Sequence, residues 1–273
     1  MENKIKTGLT NVSETLLIPL WAKATETDRK NGFLKDEKAT EILEKIEYDF
    51  SKLKTSKISQ AGCCLRASLI DKEVIGFLDS NPDATVIELG VGLDARYERI
   101  QRYGITHWYD LDLPDVIKLR RQFLPESNRH SYIEASMFDY GWIDTVKKHK
   151  TPVCIIIEGV LMYFSPDEVK AFFIELCNQL ESAVVLFDMI PYKAVGHSKQ
   201  HDALSKIDSE VEFLWSVRHT KEMEKWHPKI KIRKTLNLSD YEKGRYPSVW
   251  RILYKIPFFY RNFNQRVIRL DIV

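Results

Sequence analysis

The stretch VIELGVGLDARYERI, residues 86–100, constrains the fold more than any other feature. An apolar run ends in the acid Glu88, and Gly90, Gly92 and a helical pattern follow. A glycine-rich turn between a strand and a helix is typical of nucleotide-binding α/β proteins. The glycines let a ligand approach the backbone, and the helix N-terminus offers free N–H groups. The stretch therefore predicts an α/β domain with a nucleotide site after its first strand.

Further short apolar runs alternate with helical segments along the middle of the chain. We predict strands over 85–89, 107–113, 131–135, 153–159 and 183–190, and helices over about 93–103, 114–123, 139–148 and 166–181. Several of the runs are apolar at almost every position, which is typical of strands buried on both faces. The alternation predicts a mostly parallel sheet with helices on both faces.

The segments on either side of this alternation have different patterns. Apolar residues recur at helical spacing over 36–50 and 67–82, which predicts a helical N-terminal region. Residues 195–235 are polar and helical in pattern, and the tail over 258–273 has the pattern of closing antiparallel strands. We predict one domain over 1–273, with a helical cap (1–80), a Rossmann-like core (81–194 and 236–273) and a helical lid insertion (195–235).

Composition and short motifs exclude several classes of protein. The net charge of +2 lacks the basic excess of a nucleic-acid-binding protein. The N-terminus has no signal-peptide pattern, and the apolar stretch LLIPLW is too short to span a bilayer. There is no CxxC among the four cysteines, which are predicted to be reduced core thiols. We expect a cytoplasmic protein with no metal site and no nucleic-acid or membrane partner; the oligomeric state is left open, with a monomer among the options.

Glu88 distinguishes between two kinds of nucleotide. It lies two residues before Gly90, where a carboxylate would repel the pyrophosphate of a dinucleotide but attract the sulfonium and ammonium of S-adenosylmethionine. Acid-x-Gly-x-Gly is the usual opening motif of methyltransferases that use this ligand. The same glycines also fit the loose dinucleotide pattern GxGxxA, so an NAD(P)-dependent oxidoreductase remains an alternative.

The second predicted strand ends in two acids that suit a ribose. Asp112 lies 22 residues after Gly90, where a carboxylate can accept hydrogen bonds from both ribose hydroxyls. Asp110 is on the same face of the strand, two residues earlier, and is the alternative. We favour Asp112 because it is nearer the carboxyl edge of the sheet. Either acid supports a nucleotide without distinguishing S-adenosylmethionine from NAD.

The loops after the third and fourth strands supply the remaining candidates. Met137 and Phe138 are predicted to sandwich the adenine. Asp139 either accepts a hydrogen bond from the amino group of the adenine or caps the next helix. Glu158 ends the very apolar fourth strand and faces the crevice, where a ligand ammonium is one suitable partner for a buried acid. Tyr163 is the one catalytic candidate; we expect it to line the acceptor pocket, with a core aromatic as the alternative.

Several of these strings together resemble one family. VIELGVGLDARYERI, YDLDLPDV, IEGVLMYF and the early TLLIPLWAKA with YDF are similar to the leucine carboxyl methyltransferase family, and in particular to its bacterial branch of polyketide-synthesis O-methyltransferases. The resemblance runs from about residue 10 to about residue 190, with a weaker C-terminal match. It implies a class I S-adenosylmethionine-dependent methyltransferase fold, with a seven-stranded Rossmann-like sheet and an N-terminal helical cap.

The resemblance also implies roles for single residues. Arg66, in LRASLID, matches the family arginine that pairs with the methionine carboxylate, and Lys23, in WAKA, matches a basic residue near the same carboxylate. The chain departs from the family in the adenine loop, where Ser136 and Met137 replace the usual Asp-Leu, so the backbone is the expected adenine contact. Three further positions match the glycine turn, the ribose acid and the acid at the methionine end: Gly90, Asp112 and Glu158.

The sequence thus predicts an S-adenosylmethionine-dependent O-methyltransferase that acts on a small molecule. A carboxylate acceptor is already ionised at neutral pH and needs no general base, which agrees with the lack of an obvious base after the fourth strand. Arg218 is a cation within the predicted lid insertion that would suit an anionic acceptor. A methyltransferase-like binding protein without activity is a further alternative. Four histidines near the lid are expected at the surface: His197, His201, His219 and His227.

Overall fold

A computed structural model describes residues 4–5, 11–100, 104–206 and 211–273 of the chain. The α-helices in these ranges are α1 (Leu17–Thr27), α2 (Glu37–Lys45), α3 (Lys57–Ser80), α4 (Arg96–Ile100), α5 (Pro114–Arg120), α6 (Gly141–Lys147), α7 (Pro166–Gln179), α8 (Ser248–Leu253) and α9 (Pro257–Phe263). The strands are β1 (Thr85–Leu89), β2 (His107–Asp112), β3 (His130–Glu134), β4 (Val153–Ile157), β5 (Ala183–Met189), β6 (Ile230–Asn237) and β7 (Arg266–Ile272).

These strands form one sheet in the order β3-β2-β1-β4-β5-β7-β6. The first five strands in this order are parallel to one another, and β7 is antiparallel to both β5 and β6. The direction of winding reverses between β1 and β4, which makes the carboxyl ends of these two strands the switch point where doubly wound sheets bind ligands. The predicted fold class, an α/β seven-stranded Rossmann-like sheet, is confirmed.

Helices cover both faces of the central strands. Val86 and Ile156 pack with Ile70 of α3 on one face, and Ile87 packs with Phe173 of α7 on the other. Because successive side chains of a strand point to opposite faces, every residue of β1, β4 and β5 is buried. This explains why the apolar runs of the sequence predicted these strands well.

The N-terminal helices differ in length from their predictions. Asp36 caps α2 by accepting a hydrogen bond from Ala39 N at 2.9 Å, but the helix ends at Lys45 rather than residue 50 because Ile46 is extended and pairs with Ile5. α3 begins ten residues earlier than predicted. Its middle is buried on all sides, so the sequence there has no amphipathic period to reveal the helix.

The predicted lid and tail require correction. The described part of 195–235 contains three short 3-10 helices (Ser198–Gln200, Leu204–Lys206 and Thr220–Lys225) but no α-helix, and β6 begins at Ile230 within it. Residues 258–263 are helical, so β7 takes its antiparallel partner from the predicted lid rather than from the tail. β6 lies at the sheet edge and exposes lysine and arginine side chains, which hides its strand pattern in the sequence.

The structure also bears on the predicted core cysteines and on the predicted lack of a membrane-spanning segment. Cys63, Cys64, Cys154 and Cys177 are buried and free, as predicted. Across the described ranges, no helix is both long enough and apolar enough to cross a bilayer. The longest, α3, carries Arg66, Asp71 and other charges along its 24 residues.

Candidate active site

A cavity of about 750 Å³ opens at the carboxyl edge of the sheet, against the N-terminal helices. Its volume is within the usual range of small-molecule sites, about 300–1,000 Å³. Nine of the ten residues predicted for the site line it: Lys23, Arg66, Glu88, Gly90, Gly92, Asp112, Met137, Glu158 and Tyr163.

The turn after β1 needs glycine at both positions. Gly90 has φ +69° and Gly92 has φ +55°, in the left-handed region that side chains disfavour. A Cβ on Gly90 would collide with the side chain of Val160, and one on Gly92 would come within 3.3 Å of Leu16 Cβ. The turn is therefore held close to the loop after β4 on one side and to the N-terminal helices on the other.

Asp112 supports this turn from β2. Its Oδ2 accepts a hydrogen bond from Gly92 N, and its Oδ1 accepts one from Leu113 N, both at 2.8 Å. Burial raises the pKa of Asp112 above its ordinary value. Asp110, the alternative ribose acid, does not line the cavity; its carboxylate is bound by Arg120, His130 and Trp108 in a separate buried network.

A buried network of charges lies beneath the turn. At its centre is Arg96, which is fully buried and contacts the carboxylates of Glu88, Glu158, Asp71 and Asp94. With the partners of these residues, this charge network contains six carboxylates and four cations. The carboxylates are Asp36, Asp71, Glu88, Asp94, Glu158 and Asp188, and the cations are Lys23, Arg66, Arg96 and Arg99.

Two cations of the charge network connect it to the cavity. Arg66 donates to Glu158 at 2.9 Å and lies 3.3 Å from Asp188, and Lys23 lies 2.8 Å from Asp94. The structure thus brings together Arg66 and Lys23, which the family resemblance placed at the methionine carboxylate, and surrounds them with acids.

The two acids at the strand ends differ in their pKa values. Burial raises the pKa of Glu88 well above its ordinary value, and the nearby Arg96 does not offset this because three other carboxylates share it. The Oε2 atom of Glu88 is buried without a hydrogen-bond partner. Burial also opposes ionisation of Glu158, but the charges of Arg96 and Arg66 outweigh it and hold the pKa below its ordinary value.

The adenine loop differs from its prediction in two residues. Met137 is buried and lines the cavity, whereas Phe138 does not; its ring packs edge-on against Phe164 at 4.8 Å between centroids. Phe164 lines the cavity in its place. Asp139 is exposed outside the cavity lining, and α6 begins after Tyr140 without a side-chain cap, so neither role predicted for Asp139 is observed.

Beyond the strand ends, the cavity becomes largely aromatic. Tyr163 lines this part and lies 6.1 Å from Phe213 between ring centroids. Burial raises the pKa of Tyr163 to about 12, so its phenol stays protonated at neutral pH. Four further aromatic residues come from the segment between β6 and β7: Tyr246, Trp250, Tyr254 and Phe263.

His201 was expected at the surface but is half-buried in the cavity wall. Its Nδ1 accepts a hydrogen bond from Leu204 N at 3.3 Å, and its Nε2 lies 3.3 Å from Ser59 Oγ, which donates to Asp202. Burial lowers the pKa of His201, so the ring is neutral at pH 7. Arg218, proposed from the sequence for an anionic acceptor, does not line this cavity.

Most residues of the charge network are absent from the sites predicted from the sequence. Its signal was present, because a carboxylate predicted at a buried strand tip, Glu88, requires a cationic partner. Arg96 is the first cation after the glycine turn, and Arg99 follows three residues later on the same side of α4.

The cavity suits S-adenosylmethionine better than a dinucleotide. The charge network has two more carboxyl groups than cations, so it stays acidic even when Glu88 is protonated, and Glu88 has an unpartnered oxygen. A ligand with a sulfonium and an ammonium complements that charge, whereas a pyrophosphate would be repelled. The left-handed glycine turn leaves the backbone open to the ligand, and Asp112 lies beside it.

Solved structures share this fold. Magnesium protoporphyrin IX methyltransferase (ChlM) from Synechocystis PCC 6803, solved with bound SAH, matches with a TM-score of 0.50 at 12% identity, covering 87% of this chain and 94% of that one. A DUF574 family protein from Streptomyces avermitilis matches with a TM-score of 0.54 at 11% identity, covering 92% and 95%. The fold is that of class I S-adenosylmethionine-dependent methyltransferases.

The chain belongs to the leucine carboxyl methyltransferase family, whose model matches residues 17–177. It is 30% identical to the tetracenomycin polyketide synthesis O-methyltransferase TcmP of Streptomyces glaucescens over 85% of each chain. It is also 29% identical to the S-adenosyl-L-methionine-dependent methyltransferase dpfgK of Gibberella zeae over 89% of each chain. The predicted family and cofactor are confirmed.

Proposed function

We propose that this methyltransferase transfers the methyl group to an oxygen atom, specifically a carboxylate oxygen, of a small acceptor with an aromatic part. The observation that carries the proposal is the hydrogen bond from Leu204 N to His201 Nδ1. A neutral ring that accepts at Nδ1 carries its proton on Nε2 and has no free lone pair to take a proton from an acceptor. A carboxylate acceptor needs no such base.

The polar residues of the cavity are proposed to bind the cofactor. Asp112 would accept hydrogen bonds from the ribose, and Arg66 and Lys23 would hold the methionine carboxylate. Glu158, kept ionised by two arginines, would hold the ammonium. The backbone of the adenine loop beside Met137 would contact the base.

The aromatic part of the cavity is proposed to orient the acceptor and exclude water. When bound, S-adenosylmethionine supplies an electrophilic methyl group on its sulfonium. The protein's contribution is then alignment, which can account for a large part of the rate of a displacement. Tyr163 is proposed as a hydrogen-bond donor to the acceptor, since its phenol stays protonated. Lys193 lines the cavity without an ion pair among the described residues and suits an anionic acceptor.

The name of TcmP, an O-methyltransferase of polyketide synthesis, supports oxygen as the acceptor atom and a small molecule as the substrate. Four buried free cysteines support the cytoplasm as the location, because thiols persist in reducing compartments. The absence of a nucleic-acid partner remains a proposal, and the oligomeric state is left open, with a monomer among the options.

The test is methyl transfer from methyl-labelled S-adenosylmethionine to three matched aromatic acceptors that carry a carboxylate, a hydroxyl or an amine. The expected product is an ester, which releases labelled methanol in mild alkali, whereas ethers and N-methyl products do not. Alkali-stable label on the hydroxyl acceptor would overturn the choice of a carboxylate, and label on the amine would overturn O-methylation.

A further inference from the structure

We propose that the hairpin formed by α8 and α9, residues 248–263, docks onto a membrane surface that contains anionic phospholipids. No membrane partner is expected from the sequence, because it has no segment long and apolar enough to span a bilayer. Binding at the interface needs no such segment. The proposal stands independently of which atom receives the methyl group.

The outer face of the hairpin is unusually apolar for a surface. The exposed fractions are 59% for Val249, 62% for Ile252, 45% for Ile256 and 53% for Phe258. These are four of the nine large exposed hydrophobic residues in the described chain, and they lie within ten consecutive positions. Clustering of this kind marks an interaction surface, whereas single exposed apolar residues do not.

The charge around this patch has one sign. No aspartate or glutamate occurs from residue 243 to residue 270. Arg251, Lys255 and Arg261 are exposed, and none of them makes an ion pair within the ranges the structure describes. Exposed apolar side chains flanked by lysine and arginine are the pattern of interfacial helices on anionic membranes. A second copy of this chain would bring like charges together, so self-association is disfavoured.

A cationic recess adjoins the patch. It has a volume of about 330 Å³ and is lined by Arg218, Lys221, Arg261 and Arg266, among others, and no acid lines it. Arg266 is only 5% exposed, and its guanidinium donates to the carbonyls of Val217 and Arg218 rather than to a carboxylate.

The uncompensated charge of Arg266 suits a phosphate ester. Its Nε is buried without a hydrogen-bond partner, so the positive charge in the recess is not neutralised by the protein. Arg261 is one helical turn from Phe258, which places the recess beside the apolar patch. A phospholipid headgroup there would compensate the charge while the apolar side chains enter the bilayer interface.

The inner face of the same hairpin lines the active-site cavity through Trp250, Tyr254 and Phe263. One short element therefore contacts both the proposed membrane surface and the proposed acceptor site. An apolar acceptor dissolved in the membrane would enter the cavity along this hairpin without crossing bulk water.

The test is sedimentation of the full chain with vesicles of phosphatidylcholine alone or mixed with phosphatidylglycerol. We expect binding only to the anionic vesicles, and weaker binding as salt rises. Each basic residue near such a surface contributes about fivefold in affinity, so Arg251→Gln with Lys255→Gln should lower it roughly 25-fold. Ile252→Ser with Phe258→Ser should also lower it.

Matched controls are Lys147→Gln with Lys148→Gln, two exposed lysines at the end of α6, and Leu214→Ser, whose side chain is 42% exposed away from the hairpin. These variants should bind as the unchanged protein does. S-adenosylhomocysteine should bind all variants equally, which separates this proposal from the methyltransferase assignment. Absence of binding to anionic vesicles would overturn the proposal. Binding of inorganic phosphate to the recess without vesicle binding would instead indicate a soluble phosphate ligand, and equal loss in the control variants would indicate non-specific adsorption.

Discussion

Oδ2 of Asp112 accepts a hydrogen bond from the backbone N–H of Gly92 at 2.8 Å. The last residue of β2 therefore holds the turn that follows β1, even though the two are 20 residues apart in the chain. The proposed ribose acid and the proposed nucleotide turn form one unit, so a change in either should affect the other.

Replacing Asp112 tests the ribose assignment. Asp112→Ala removes a charged acceptor of the ribose hydroxyls and a support of the glycine turn, so S-adenosylhomocysteine should bind at least about 100-fold more weakly. Calorimetric titration measures the change. Asp115→Ala, at an exposed position in α5, is the control and should bind normally. An unchanged Kd for Asp112→Ala would mean that the ribose lies elsewhere.

Two glycine-to-alanine changes should have opposite effects on stability. Gly90→Ala forces a left-handed φ on a residue with a Cβ and brings that Cβ against Val160, so the free energy of unfolding should fall by about 1–2 kcal/mol or more. Gly76 is exposed in α3 with no atom near its Cβ position, so Gly76→Ala should raise it by about 0.5–1 kcal/mol. Urea unfolding measures both, and a loss of stability in Gly76→Ala would contradict the helical assignment.

Removing the central cation of the charge network should be costly. Arg96→Met leaves four buried carboxylates without their shared partner, and we expect a loss of about 3–5 kcal/mol in the free energy of unfolding. Arg121, which pairs with Glu126 and Glu134 at the surface, is the control, and Arg121→Met should cost about 1 kcal/mol or less. Similar losses in both variants would show that the charge network is solvated.

The raised pKa of Glu88 predicts a pH dependence of stability. The folded protein holds this proton more tightly than the unfolded chain, whose ordinary value is 4.5. Tighter proton binding to Glu88 raises the free energy of unfolding fully below pH 4.5. This contribution is lost as the pH rises from 4.5 towards the folded pKa. Glu88→Gln mimics the protonated form, so its stability relative to the unchanged protein should rise as the pH increases from 4.5 towards the folded pKa of Glu88. Thermal unfolding measures the difference, and a constant difference would show that Glu88 is ionised throughout.

His201 tests the absence of a general base. Because its Nδ1 is occupied by Leu204 N, His201→Gln should leave kcat/KM for a carboxylate acceptor within about threefold. Initial rates over several acceptor concentrations measure it, with His197→Gln, an exposed residue at the cavity rim, as the comparison. A loss of about 100-fold or more in His201→Gln alone would identify a base and favour a hydroxyl acceptor.

The parts of the fold that the sequence predicts are those with a local cause. β1 was predicted with its observed bounds because its apolar run is continuous and ends at glycine. α7 begins at Pro166 after Ser165, whose side chain forms a capping box with Glu168. In contrast, β6 exposes alternate charged residues at the sheet edge, and its strand pattern is visible only once β7 is known to pair with it.

In the site, likewise, only the residues whose positions have a local cause were predictable from the sequence. Single residues at strand ends, such as Glu158 and Asp112, follow from the geometry of a parallel sheet. The pairing of Arg96 with Asp71 joins residues 25 apart in two helices, and that of Ser59 with Asp202 joins residues 143 apart. Neither pairing has a periodicity that a single sequence can show. The assignment of Phe138 to the cavity is wrong because the direction of a side chain within a loop follows no sequence pattern.

α3 sets the distance between the aromatic part of the cavity and the charge network. It carries Ser59 and Cys63 at the aromatic part of the cavity, Arg66 at the strand ends and Asp71 in the charge network. At a rise of 1.5 Å per residue, Ser59 and Asp71 are about 18 Å apart along one rigid rod. Inserting one residue between Ser59 and Asp71 would rotate one part of α3 by roughly 100° relative to the other. The side chains at the cavity and in the charge network could then not both keep their positions. The length of α3 therefore fixes the distance between the aromatic part of the cavity and the charge network.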